Sequence, residues 1–128
     1  MSTRCVINFT FDGNVEAKVY RHSDGYPDGP NGVPADLAKF FVEVEKHTPD
    51  HRFDDPSYLA ARFVVWQADR LAKTYDSSKR GYTKNKRLNF LGVGIVMENP
   101  GDIEYEYTVA CSTHDQNGRP IVSVPEAR

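Results

Sequence analysis

Apolar residues recur with period two at both ends of this chain and with the helical period in its middle. That segregation limits the fold more than any other feature. Cys5-Val6-Ile7-Asn8-Phe9-Thr10-Phe11 alternates, with Cys5, Ile7, Phe9 and Phe11 on one side, as a half-buried strand does. Asp12-Gly13-Asn14 is a hairpin turn signal, and Val15, Ala17 and Val19 answer on the returning strand as an inward row. Pro34 suits the first turn of a helix. Leu37, Phe40, Phe41 and Val44 then recur at helical spacing up to His47, with Asp36, Lys39, Glu43 and Lys46 outside them. Asp55-Pro56 restarts a helix that runs to about Tyr75, with Leu59, Ala60, Phe63, Val64 and Leu71 on its apolar side.

Strands return after a polar stretch. Leu88 to Met97 reads as a buried strand, and Asn99-Pro100-Gly101-Asp102 turns the chain. Ile103 to Cys111 alternates almost without interruption, and Pro120 to Val124 forms a short last strand at an edge. The order ββααβββ predicts an α+β domain: a five-stranded, mainly antiparallel sheet with both helices packed on one side. At 128 residues the chain is read as one domain, 1–128, with room for a core that needs no staples.

The totals exclude several classes of function. A net charge of −2 gives no footing for bulk nucleic-acid binding. No window approaches a membrane-spanning apolar run, and no apolar leader opens the chain, which predicts a soluble cytoplasmic protein. Cys5 and Cys111 lie within strand patterns and are expected as buried, reduced thiols. The sequon Asn8-Phe9-Thr10 carries no weight in a chain that nothing directs to secretion.

The connector Tyr20 to Gly32 holds two prolines and three glycines and must be a shaped loop. Gly25 and Gly29 allow backbone at positive φ, while Pro27 and Pro30 fix φ nearby. By strand parity Arg21 continues the inward row, where a guanidinium needs either an anion or a water-filled edge. Arg21 and Tyr26 are therefore candidates for gripping a phosphate-bearing ring, with a structural hairpin-to-helix connector as the plainer alternative.

On the second helix, Tyr58, Arg62, Trp66 and Asp69 fall at intervals of four, four and three. This stripe is either a cleft wall presenting a ring and a guanidinium, or a packed tryptophan with an arginine lying over it. Residues 76 to 87 carry five basic residues against one aspartate, a solvated loop or a lure for anions. His47, His51 and Asp54 could hold a metal, but Pro49 between the histidines breaks the geometry of a helical pair. Phosphate loops of Walker or Rossmann spacing, serine elbows and paired carboxylates are missing from the sequence, which favours a binder over an enzyme.

Arg21-His22-Ser23-Asp24-Gly25-Tyr26-Pro27-Asp28-Gly29 after a short hairpin, then two helices, then Gly101-Asp102-Ile103-Glu104-Tyr105-Glu106-Tyr107, resembles the first family of phage Thoeris anti-defence proteins. The resemblance implies a non-enzymatic protein in the host bacterial cytoplasm, without a cofactor. It would sequester a cyclic ADP-ribose-type signal and, in some members, cyclic oligonucleotides. It also implies a homo-oligomer, a dimer or larger, with ligand held between protomers. By element order it points to Arg62 and Arg119 for phosphate, Phe90 for stacking on the base and Asn99 for the ribose or base edge. Ser23 departs from the large aromatic expected of relatives at that position, which leaves Tyr26 as the loop's stacking candidate. The rival expectations are an anti-CRISPR-like inhibitor docking through residues 76 to 87, and a metal-dependent phosphodiesterase built on His47, His51 and Asp54.

Overall fold

Five strands and two helices make up the fold, in a computed structural model that describes residues 3–74 and 92–125. In chain order these are β1 (Cys5–Phe11), β2 (Asn14–Arg21), α1 (Val33–His47), α2 (Pro56–Thr74), β3 (Val93–Val96), β4 (Tyr105–His114) and β5 (Pro120–Ser123). The sheet runs β3-β2-β1-β4-β5, so β5 is an edge strand as expected. Both helices cover one face. Ile7, Phe9, Val19 and Val109 from the strands share a core with Leu37, Phe40, Leu59 and Phe63 from the helices. The rings of Phe40 and Phe63 meet edge to face with centroids 5.3 Å apart, an arrangement that aromatic quadrupoles favour.

The sheet is mainly antiparallel, as expected, but not purely so: three of its four strand pairings are antiparallel and one is parallel. β1 pairs antiparallel with β2 but parallel with β4, Cys5 lying opposite Tyr105 and Phe9 opposite Val109. The reason lies in the stretch read as a simple turn. β3 and β4 run in the same direction on opposite sides of the β2–β1 pair, so residues 97–104 cross the sheet between them. The crossing uses the face opposite the helices. There Asn99 Oδ1 accepts a hydrogen bond from Lys18 Nζ at 2.8 Å, and Glu104 N donates to Arg4 O at 2.9 Å. A parallel connection of only eight residues is short for its kind, since such crossovers usually contain a helix. Its presence explains why β1 is buried on both faces, Val6 and Asn8 included.

Two parity expectations also change. The β1–β2 register shifts between Phe9 and Thr10, so Thr10 faces Val15. Beyond this bulge the inward row is lost, and Val15 is 48% exposed instead of buried. Asp36, placed outside the apolar stripe of α1 by its sequence spacing, is only 2% exposed.

The helix boundaries follow the sequence signals. Thr48 closes α1, its Oγ1 donating to Val44 O at 2.6 Å just before Pro49. Asp55 Oδ1 accepts the Tyr58 amide at 3.2 Å in the first turn of α2, an N-cap contact worth about 1 kcal/mol. No helix of the described residues is long and apolar enough to cross a membrane. Phe90, the first part (88–91) of the strand expected over 88–97 and the basic segment 76–87 lie outside the described residues.

Candidate functional site

Because α1 and α2 pack side by side on the sheet, their outward flanks leave a groove between them. It measures about 1010 Å³, at the upper end of the range for small-molecule sites. Its α1 wall comes from Lys39, Phe40, Glu43, Val44 and His47, one face at helical spacing. On the α2 side the stripe singled out in the sequence lines it in full: Tyr58, Arg62, Trp66 and Asp69, joined by Val65 and Arg70. The floor is apolar and partly open to water, Val65 being 66% exposed.

Along α2, rings and guanidiniums alternate one turn apart. The Arg62 guanidinium lies 4.6 Å from the centroid of the Tyr58 ring, and that of Arg70 lies 4.6 Å from the Trp66 ring. Trp66 also packs inward, 5.6 Å from Phe40 and 6.1 Å from Phe63. The packed tryptophan with an arginine over it is therefore present, but the arginine is Arg70 rather than Arg62. Extending the four-residue interval by one more step along the sequence would have found it.

Arg62 differs from the other arginines among the described residues. Arg4 pairs with Asp102, Arg21 and Arg70 with Asp36, Arg52 with Asp50 and Asp55, and Arg119 with Glu45. Arg62 meets no carboxylate of the described residues. Its Nη1 donates instead to the backbone carbonyls of Asp50 at 3.2 Å and His51 at 2.9 Å. Those bonds fix its direction without cancelling its charge.

Within one chain, the described residues assigned by element order, Arg62, Asn99 and Arg119, do not meet. Asn99 lies across the sheet from the groove, over Lys18 and Glu106. Glu106 is held below the usual carboxylate range by hydrogen bonds from Asn8 and then Asn99. Arg119 makes a two-point contact with Glu45, Nε to Oε2 at 3.0 Å and Nη2 to Oε1 at 2.7 Å, and lines no part of the groove. This pairing pulls the Glu45 carboxyl below its ordinary range.

Arg21 and Tyr26 serve the loop. Arg21 is buried, with Nη1 2.8 Å from Asp36 Oδ2, and its Nε and Nη2 donate to the carbonyls of Ser23 at 2.8 Å and Asn31 at 3.0 Å. The anion that strand parity demanded for Arg21 is thus supplied by the protein itself. Tyr26 donates its hydroxyl to Asp24 Oδ1 at 3.1 Å, which raises its pKa.

The histidines hold no assembled metal site. His47 Nε2 lies 2.9 Å from Glu43 Oε2, and the His51 ring rests 5.3 Å from Phe53. No group of three or more metal-ligating side chains gathers among the described residues. Compared with known protein families, curated proteins and solved structures, the chain finds no match.

Proposed function

We propose that this protein binds a phosphate-bearing ring compound, a cyclic ADP-ribose-type signalling nucleotide, in the α1–α2 groove and holds it without turnover. Sequestration of that kind is the role implied by the resemblance to Thoeris anti-defence proteins. One observation carries the reading. Arg62 is an oriented guanidinium with no carboxylate partner among the described residues, stacked on Tyr58 and opening on the same groove as the indole of Trp66. A phosphate supplies the countercharge Arg62 lacks, and a base finds the Arg70–Trp66 stack in the same groove, with the guanidinium plane as its platform.

The energetics set a further condition. A charge-assisted contact contributes roughly 1.5–3 kcal/mol, and base stacking roughly 1–3 kcal/mol per ring. Nanomolar capture corresponds to about −12 kcal/mol. A groove open along one side does not reach that figure, so a second copy of the chain closing over it belongs to the proposal.

Titration calorimetry with cyclic ADP-ribose isomers is the test, together with chromatography of ligand recovered by heat. The expected result is binding with intact ligand recovered. Arg62→Ala weakens binding by roughly 10- to 100-fold, the equivalent of one charged hydrogen-bond set. Absence of heat with every isomer, or recovery of a hydrolysed product, overturns the proposal.

A further inference from the structure

The inner end of the groove is fastened to the core by the carboxylate of Asp36. Asp36 is 2% exposed and has a guanidinium nitrogen 2.8 Å from each oxygen, Arg70 Nη1 at Oδ1 and Arg21 Nη1 at Oδ2. Gln67 Nε2 donates to Oδ2 at 3.4 Å. Arg70 is much the more exposed of the two arginines and is the one stacked on Trp66 in the groove. Arg21 in turn clamps the carbonyls of Ser23 and Asn31 in the β2–α1 loop.

We propose that Asp36 is the positioning residue of the groove: its buried carboxylate holds the Arg70 guanidinium against the face of Trp66 and, through Arg21, ties that stack to the loop behind it. This rests on the reading of the groove as a ligand site. A half-exposed arginine has many rotamers, and ordering it needs an interaction that outweighs their entropy. A carboxylate screened from water is such an anchor, because its field is weakly damped. The stack leaves Arg70 compensated by Asp36, so Arg62 remains the anion-binding group while Arg70 and Trp66 form a rigid end wall. Rigidity matters here, since a ligand meeting an ordered wall loses less freedom on binding.

Trp66 is the only tryptophan in the chain, so indole fluorescence reports on the stack directly. The experiment compares acrylamide quenching in wild type, Arg70→Gln, Asp36→Asn and the double variant. Both single variants are expected to raise the quenching constant by about twofold as the covering guanidinium leaves the ring. The double variant is expected to add nothing further, because both changes break one contact.

Asp36→Asn leaves Arg21 buried without a countercharge and can prevent folding. In that case Arg21→Met/Asp36→Asn, which removes both buried charges together, takes its place with the same expected rise. Wild-type quenching in Arg70→Gln overturns the proposal, as does wild-type quenching in the folded Asp36 variant. The same samples are titrated with cyclic ADP-ribose isomers. A silent wild-type titration defeats the ligand reading and leaves the quenching result standing. Wild-type heat with unchanged quenching defeats the role of Asp36 alone.

Discussion

Gly25 sits where a Cβ would lie 2.7 Å from the Thr3 carbonyl oxygen and 2.9 Å from the Cys5 Cβ. Its backbone is held there by Gly25 N donating to Thr3 O at 2.9 Å and by Tyr107 donating its hydroxyl to Gly25 O at 2.7 Å. The need for glycine is therefore closeness. Positive φ in this part of the loop falls on Asp24, at 57°, and on Gly29, at 86°. Gly25→Ala is expected to destabilise the fold by roughly 1–3 kcal/mol through overpacking against backbone. Tyr107→Phe is expected to cost roughly 1–3 kcal/mol by leaving a buried carbonyl without its donor. Urea denaturation measures both. A shaped loop was legible from its prolines and glycines, and so was an inward arginine in want of an anion. The identity of that anion was not, because helical spacing alone put Asp36 on the wet side of α1. What reverses it is the attraction of two arginines from different elements, a tertiary fact that no local pattern contains.

The crossover of residues 97–104 shows the same limit for an element. Asn99-Pro100-Gly101 announces a change of direction, but not whether the chain folds back beside β3 or travels over the sheet. The decision rests on contacts distant in sequence: Lys18 donates to Asn8 Oδ1 at 2.9 Å and to Asn99 Oδ1 at 2.8 Å, while Asn8 Nδ2 donates to Glu106 Oε2 at 2.6 Å. These bonds favour ionised Glu106, whose pKa is lowered on folding from its ordinary 4.5. A depressed carboxyl pKa gives stability that is fully present above the unfolded value and lost as pH falls through the folded one. Glu106→Gln is therefore expected to flatten the decline in thermal stability below about pH 4.5, the decline seen in wild type being the reference. A profile identical to wild type would mean that this network contributes nothing to acid sensitivity. On α2 the sequence was more informative, because a ring and a guanidinium four apart on one helix must share a face. Arg119 and Asn99 had no such local tie, and the fold gives each a carboxylate-bearing neighbourhood away from the groove.

For the whole molecule, segregated periodicities were enough to give the element order and the layering of helices over one face. Strand direction was not recoverable from them, since alternation is the same in parallel and antiparallel ladders. The two cysteines test the core as a unit. Both are fully buried, and burial pushes each thiol up to about 12. Neither is expected to react with a thiol reagent at neutral pH until the chain unfolds, and both should then react together. A fast-reacting thiol in the native protein would show that one end of the sheet opens locally.

The parallel pairing of β1 with β4 has a bearing on how the chain is made. The strand at the middle of the sheet is synthesised before the other four, yet one of its two neighbours, β4, follows both helices and β3. While translation proceeds, that early strand carries an unmatched row of amide and carbonyl groups, a template on which another nascent chain could add. Ribosome-bound fragments ending before Tyr105 should be prone to mutual association, and release of the finished polypeptide should end it.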